Sequence, residues 1–184
     1  MNTKQNSLKI KVNHLLCSFI IISTLLLLSV TSAFSQGDAD RQKRSKVIAM
    51  YNDYTGNFPE IEDIASEEAL QLLARSNTVF VDVRKPKEQK ISMIPGAVTK
   101  EQFLKRIKEY RDKKVIAYCT IGYRSGKFAE KMAKKGFDVM NLRAGLLGWV
   151  HAHGPLVSKD GPVHTLNVYG KTWDLAPSWI TTVY

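Results

Sequence analysis

Two hydrophobic patterns alternate along most of the chain. Short runs that are almost entirely apolar, at 79–83, 115–118 and 138–142, predict strands that are buried on both faces. Between these runs, apolar residues recur every three or four positions, as they do at 100–110 and 124–135, and this spacing predicts amphipathic helices. Buried strands that alternate with helices indicate an α/β fold, an open parallel sheet with helices on both faces.

The helix ends also carry sequence signals. A first helix is predicted over 38–54, before the first strand. Ser66 is expected to cap the next helix, residues 99–102 have the form of a capping box, and Gly136 is suited to end the helix over 124–135. The helical side chains expected to face the core are Val47, Ile48, Tyr51, Leu70, Leu73, Ala74, Phe103, Ile107, Tyr110, Phe128, Ala129, Met132 and Ala133.

The N-terminal segment has the layout of a secretory signal peptide. Three lysines and no acid precede an uncharged, mostly aliphatic run over 15–30, and small residues follow the run. We therefore expect residues 1–35 to be removed by cleavage ahead of Gln36, which gives a periplasmic or secreted product. The alternative is a membrane anchor formed by residues 15–35, because a spanning helix needs about 20 apolar residues.

Residues 36–184 are expected to form one domain with two extensions. The prediction is an N-terminal helical extension over 36–59, the main domain over 60–155 and a C-terminal extension over 156–184, in which 166–169 is a further strand. Without residues 1–35 the formal charge falls from +10 to +7. A positive charge of this size steers small anions or favours anionic membrane surfaces, but the interpretation favoured here is that it serves solubility alone. Export and the absence of a recognisable motif argue against nucleic acid, and membrane contact is expected only if the N-terminal segment stays uncleaved.

Cysteine usage directs attention to one residue. The chain has two cysteines, and Cys17 lies in the segment expected to be removed. Cys119 would then be the only thiol of an exported protein, which excludes a disulfide within the chain. An odd cysteine in that setting indicates intermolecular pairing or a reactive thiol.

The residues that follow Cys119 favour the reactive thiol. In open α/β sheets, ligands bind outside the carboxyl ends of the strands, and Cys119 directly follows the predicted strand over 115–118. Gly122 gives the short loop the freedom to point its amides at one centre. The N-terminus of the next helix and the charge of Arg124 add to this field, so the setting favours a thiolate.

Four motifs along the chain resemble those of the single-domain rhodaneses, which are sulfurtransferases. Their order and spacing over roughly 60–155 make the set specific. The matching residues are Asp82-Val83-Arg84, Ile94-Pro95-Gly96-Ala97, the loop from Cys119 to Arg124 with Ser125, and Asn141-Leu142-Arg143-Ala144-Gly145 leading to Trp149.

The resemblance implies a sulfurtransferase that needs no metal or organic cofactor. Cys119 would be the nucleophile and would carry a persulfide between a small anionic donor such as thiosulfate and an acceptor, which is cyanide, a thiol or a periplasmic protein thiol. Asp82 lies at a strand end, where a carboxylate more often orders a loop or pairs with an Arg than acts in catalysis, so a supporting role with Arg84 as partner is expected. The substrate-binding residues implied are Thr120, Ile121, Gly122, Tyr123, Arg124 and Ser125. Thr120 stands where thiosulfate-using members often have a basic residue, which disfavours thiosulfate as the natural donor.

Three alternatives remain open from the sequence. Cysteine phosphatases and arsenate reductases also place a thiolate in an anion-binding loop that ends in Arg, but with five residues between the two, whereas four separate Cys119 from Arg124. A non-catalytic binding module with the same fold is the second alternative, and its usual sign would be loss of the cysteine. The third is a persulfide or redox relay to a periplasmic protein, which keeps the chemistry and changes the acceptor. His151 and His153 lack evident further ligands for a metal, so a surface or groove-lining role is expected for them.

Overall fold

The computed structural model describes residues 36–184, so the predictions made for residues 1–35 lie outside it. Most of the described residues, Asp40–Tyr184, form one compact unit. Residues 36–55 are helical, and we call the part from Asp40 onward α1. Within 36–184, no helix is both long enough and apolar enough to cross a bilayer.

The unit from Asp40 is built on a five-stranded parallel sheet with the order β1-β5-β4-β2-β3. Its strands are β1 (Asp63–Ile64), β2 (Thr78–Asp82), β3 (Val98–Thr99), β4 (Lys114–Tyr118) and β5 (Met140–Leu142). The strands predicted at 79–83, 115–118 and 138–142 are confirmed as β2, β4 and β5, although β5 begins two residues later than predicted. The short strands β1 and β3 were not predicted. Because all five strands run in parallel, their carboxyl ends share one edge, where Cys119 follows β4 and Asp82 ends β2.

Helices cover both faces of the sheet, as predicted. They are α1 (40–55), α2 (Ser66–Leu72), α3 (Pro86–Gln89), α4 (Lys100–Lys105), α5 (Tyr123–Ala133) and α6 (Gly145–His151), with short 3-10 turns at Ile107–Tyr110 and Lys171–Trp173. Side chains alternate along the strands, so Phe80 packs in the core shared by α1 and α6, whereas Val79 and Val81 pack in the core shared by α4 and α5. Two hydrophobic cores therefore fix the sheet from opposite sides.

Some helix details differ from the predictions. The N-cap of α2 is Ala65, and Ser66 is already helical, with a buried hydroxyl that has no partner among the described residues. Ala74 and Ala133 are exposed, because α2 ends at Leu72 and Ala133 lies on the solvent side of the last turn of α5. The capping box at Thr99 is present, and its hydroxyl accepts the N–H of Gln102.

The C-terminal segment forms two small sheets. An antiparallel hairpin pairs β6 (Leu156–Ser158) with β7 (Gly161–Val163), and β8 (Thr165–Asn167) pairs in parallel with β9 (Thr181–Val183). Buried side chains of this segment share a core with α1 and α6. They are Leu156, Leu166, Val168, Ala176 and Ile180. From Asp40 onward, both predicted extensions are thus packed parts of the same unit and bring further side chains to its surface.

Candidate active site

Cys119 lies at the carboxyl end of β4, in a loop that is held by α6. The thiol forms no disulfide within residues 36–184 and the residue is only 1% exposed. The carbonyl oxygen of Cys119 accepts the N–H of Leu146 at 2.8 Å. The next carbonyl, that of Thr120, accepts the N–H of Leu147 at 3.0 Å. The first turn of α6 therefore fixes the loop by its carbonyl groups.

This attachment leaves the N–H groups of the loop for other partners. In a trans peptide the C=O and N–H groups point in opposite directions, so the N–H groups of Thr120 and Ile121 point away from α6. Neither these nor the N–H of Tyr123 meets an acceptor in the described part of the chain. The N–H of Gly122 donates to Sγ of Cys119 at 3.2 Å. The loop thus presents several donors to negative charge at the sulfur.

Two glycines allow the loop to pack this closely. Gly122 has a φ of +100°, and a Cβ there would lie 2.4 Å from a ring carbon of Tyr51. Gly145, at the start of α6, has a φ of +53°, and a Cβ there would lie 2.4 Å from the carbonyl oxygen of Cys119. The loop is therefore pressed between the ring of Tyr51 and the N-terminus of α6.

Tyr51 is itself held firmly between α1 and the sheet. Its hydroxyl donates a short hydrogen bond to Asp63 and accepts one of 2.9 Å from the side-chain amide of Asn141. Burial, together with the bond to Asp63, raises the pKa of Tyr51 far above its ordinary value, so the phenol stays neutral. The ring that supports the loop is fixed at its far end.

Arg124 is tied to a buried carboxylate. Its Nη1 and Nη2 donate to the two carboxylate oxygens of Glu88 at 2.8 and 2.7 Å, and Nη2 also donates to the hydroxyl of Thr120 at 3.1 Å. These bonds to Glu88 raise the pKa of the Arg124 guanidinium, and the nearby sulfur of Cys119 raises it further. The positive charge at the rim of the loop is therefore largely balanced by Glu88.

Glu88 is placed by α3 and remains ionised. Only 2% of the residue is exposed, and its carboxylate also accepts the N–H of Lys85 at 2.9 Å. Burial by itself would raise the pKa of Glu88, but the hydrogen bonds from Arg124 and Lys85 outweigh it and the pKa lies below its ordinary value.

Asp82 and Arg84 form a second ion pair behind the loop. Both side chains are fully buried, and Nη2 of Arg84 lies 2.7 Å from Oδ2 of Asp82. The same nitrogen donates to the carbonyl of Ser92 at 2.5 Å, and the guanidinium lies over the ring of Tyr118, 5.9 Å from its centroid. The pair ties the end of β2 to the segment that follows α3, and it lies outside the pocket next to Cys119.

The remaining loop residues have different surroundings. Ser125 is buried and donates to the carbonyl of Gly122 at 3.2 Å, so its hydroxyl closes the loop. Ile121 is 1% exposed and packs in the core. Tyr123 is 38% exposed and its ring stands at the rim. Of the predicted binding residues, Thr120, Ile121, Tyr123 and Arg124 line the pocket next to Cys119, whereas the hydroxyl of Ser125 bonds within the loop.

A pocket of about 310 Å³ opens over Cys119. Besides loop residues it is lined by four aromatic rings, Tyr54, Tyr123, Tyr169 and Trp173. Tyr54 lies in α1, and both Tyr169 and Trp173 lie in the C-terminal segment.

In the described part of the chain, no three His, Cys, Asp or Glu side chains lie together as a metal site would require, and His151 instead contacts the carbonyl of Leu175.

The comparison with known proteins places these features in a family. A family model described as the rhodanese-like domain matches residues 65–152. A sulfurtransferase of Allochromatium vinosum is 33% identical over 106 residues, a match that covers 55% of this chain and 99% of the relative. The chain belongs to the rhodanese-like domain family.

Two further similarities cover less of the other protein. A tRNA uridine(34) hydroxylase of Buchnera aphidicola is 35% identical over 98 residues, which are 48% of this chain but only 31% of the hydroxylase. The crystal structure of a thiosulfate sulfurtransferase from Pseudomonas aeruginosa is 24% identical with a TM-score of 0.49, and the match covers 69% of this chain and 25% of that one. The chain thus spans about a third of the length of the hydroxylase.

Several residues of the site could not be found from the sequence motifs. Glu88, Tyr51, Tyr54 and Trp173 belong to none of the rhodanese motifs, and the last three lie outside residues 65–152. The one signal for Glu88 was its place three residues after Lys85, where an acidic side chain can accept the backbone N–H of the N-cap residue of α3. Helical spacing predicted that Tyr51 faces the core, but the contacts of all three aromatic residues with the site are long-range, so no local pattern indicated them.

Proposed function

We propose that this rhodanese-like domain transfers a sulfane sulfur through a persulfide on Cys119, from a donor such as thiosulfate to cyanide or a thiol. The observation that carries the proposal is the set of backbone donors around the thiol. Gly122 already donates to Sγ, and the N–H groups of Thr120, Ile121 and Tyr123 have no acceptor in residues 36–184. A persulfide adds one charged sulfur, which such donors stabilise.

The transfer needs no added reductant or oxidant. The Cys119 thiolate attacks the outer sulfur of thiosulfate, a new S–S bond forms, and the old S–S bond breaks with its electron pair leaving on sulfite. Cyanide or a thiolate then attacks the outer sulfur of the persulfide. The electron pair of that S–S bond returns to Cys119, and thiocyanate or a new persulfide leaves. Similarity to the sulfurtransferase of A. vinosum supports this reaction class.

The position of Arg124 argues against phosphate chemistry at this site. A phosphatase of this type needs the guanidinium to bind the transferred oxyanion, but here both terminal nitrogens of Arg124 bind the carboxylate of Glu88. A carboxylate so close to the site would also repel a phosphate dianion. Sulfur transfer makes no such demand on Arg124, because the persulfide lies among backbone donors.

The test compares two cysteine variants of the full chain. Cys119→Ser should lose transfer from thiosulfate to cyanide, whereas Cys17→Ser is the matched control and should retain it. After treatment with donor, the wild type and Cys17→Ser should gain about 32 Da as a persulfide and Cys119→Ser should not. Near-UV circular dichroism of each variant checks that the fold is kept.

Two results would contradict the proposal. Full transfer activity in Cys119→Ser would remove the nucleophile assigned here. Aryl phosphate hydrolysis that depends on Cys119, without sulfur transfer, would favour the phosphatase. If the wild type gains no sulfur from thiosulfate or from an organic persulfide, the domain is a binding module.

A further inference from the structure

The four rings over Cys119 form one continuous wall. Tyr54 packs against Tyr123 with centroids 5.3 Å apart, and against Trp173 with centroids 6.3 Å apart at an interplanar angle of 17°. Trp173 in turn meets Tyr169, whose ring centroid is 5.9 Å away. We call Tyr54, Tyr123, Tyr169 and Trp173 the aromatic wall. Three of its four members lie outside residues 65–152, so the family match does not account for the wall.

The wall is more than the packing of one segment on another. Tyr169 is 69% exposed and Tyr123 is 38% exposed, so large apolar surfaces face solvent next to a buried thiol. Exposed apolar surface that surrounds a concave site is typical of ligand-binding pockets. The pocket volume of about 310 Å³ is at the lower end of the range for small-molecule sites.

The charge inside the pocket is low. Among the described residues that line it, Arg124 is the one cation, and its guanidinium is paired with the buried Glu88. A doubly charged inorganic anion therefore loses its hydration without meeting a free positive charge. A singly charged ligand with a flat apolar group is favoured, because the aromatic wall covers the apolar group while the loop amides receive the charge.

We propose that the aromatic wall selects an organic sulfur donor, a singly charged thiosulfonate or persulfide that carries an aromatic group, over inorganic thiosulfate. This inference rests on the proposed function and names its substrate class. With a thiosulfonate, R–SO₂–S⁻, the Cys119 thiolate attacks the terminal sulfur. The bond between the two donor sulfurs breaks, its electron pair leaves on the sulfinate R–SO₂⁻, and the persulfide forms on Cys119.

The test uses the full chain, cyanide as the common acceptor, and three donors. Methanethiosulfonate and benzenethiosulfonate each carry one negative charge, and only the second has an aromatic group. Thiosulfate carries two negative charges and no organic group. In the wild type, kcat/KM for the benzene compound should exceed that for the methane compound by about tenfold, the effect expected of well-placed aromatic contacts. Thiosulfate should be the poorest donor.

Variants of the aromatic wall test whether these rings cause the preference for the aromatic donor. Trp173→Ala should lower kcat/KM for benzenethiosulfonate about tenfold and change that for methanethiosulfonate less than about twofold, and Trp173→Phe should restore most of the difference. Tyr169→Ala tests the same wall at an exposed position, where folding is not at risk. Tyr184→Ala is the control, because Tyr184 lies in the same segment, is 58% exposed and does not line the pocket.

The outcomes separate this inference from the proposed function. Equal use of the two thiosulfonates by the wild type, or a loss in Trp173→Ala that is the same for both, overturns the inference and leaves sulfur transfer in place. If no donor is turned over, the proposed function fails, and calorimetry on Cys119→Ala decides the inference. If Cys119→Ala binds benzenethiosulfonate and the double variant with Trp173→Ala does not, the aromatic site is upheld. If Cys119→Ala does not bind benzenethiosulfonate, the inference is overturned.

Discussion

Replacement of Gly122 by alanine tests how the loop at Cys119 is held. The added Cβ would lie 2.4 and 2.7 Å from two ring carbons of Tyr51. The ring has no easy way to move, because Tyr51 is fully buried and its hydroxyl is bonded to Asp63 and Asn141. The loop must therefore shift, and it carries the N–H that donates to Sγ.

The expected loss of stability has two parts. A side chain at a φ of +100° costs about 1–2 kcal/mol, and overpacking against Tyr51 costs about 1–3 kcal/mol. Gly136→Ala is the matched control, since Gly136 has a φ of +70° and a Cβ added there would meet no heavy atom within 4 Å. Both variants gain the same small benefit from a stiffer unfolded chain. The difference between them thus isolates the contact with Tyr51, at about 1–3 kcal/mol.

Urea denaturation of the two variants and the wild type measures this difference. Gly122→Ala should also lose about 100-fold in sulfur-transfer rate, because a loop shift of about 1 Å misplaces the donors, whereas Gly136→Ala should keep its rate. Equal destabilisation of the two variants would refute the reasoning. A second comparison places Gly122→Ala in a protein in which Tyr51 is replaced by leucine, so that the clash with the ring is absent. The same loss of stability with and without the Tyr51 ring would also refute the reasoning.

Two further predictions concern the buried ion pairs. Asp82→Asn should destabilise the protein by about 3–5 kcal/mol in urea denaturation, because it leaves the guanidinium of Arg84 buried without a counter-charge; Glu109→Gln, which breaks an exposed pair, should leave the midpoint unchanged. Glu88 has a folded-state pKa below its ordinary value of 4.5, so the stability it contributes is fully present above about pH 4.5 and is lost as the pH falls through the folded-state pKa. Glu88→Gln should therefore lose less stability than the wild type between pH 6 and pH 3, and an identical acid-induced loss in the two proteins would contradict this.

Local sequence patterns determined much of the architecture. The apolar runs that became β2 and β4 are buried on both sides, so their hydrophobicity needed no tertiary information to be recognised. Thr99 caps α4 with a hydrogen bond to a residue three positions away, and such a bond can be read from the sequence. The loop from Cys119 was also evident, because strand, cysteine, glycine and arginine follow one another directly.

The misplaced helix details show where local patterns fail. Ser66 has the right side chain for an N-cap, but α2 begins one residue earlier in its register and the hydroxyl is buried without a partner among the described residues. Ala133 has the spacing of a core residue, yet it is exposed in the last turn of α5. At helix ends, packing against the sheet decides the register, and the spacing of apolar residues alone does not reveal that packing.

The side chains that reach the thiol and its loop from distant parts of the chain were decided by the tertiary structure alone. Glu88 neutralises Arg124 from 36 positions away, and Tyr51 supports Gly122 from a helix outside the matched domain. Trp173 reaches the pocket from the far end of the chain, after the C-terminal segment has packed on the core. A sequence pattern reports hydrogen bonds and periodicity among neighbours. The charge balance and apolar lining of a pocket depend on which distant side chains the fold brings together. The sequence therefore singled out Cys119, and the tertiary structure decided which side chains surround it.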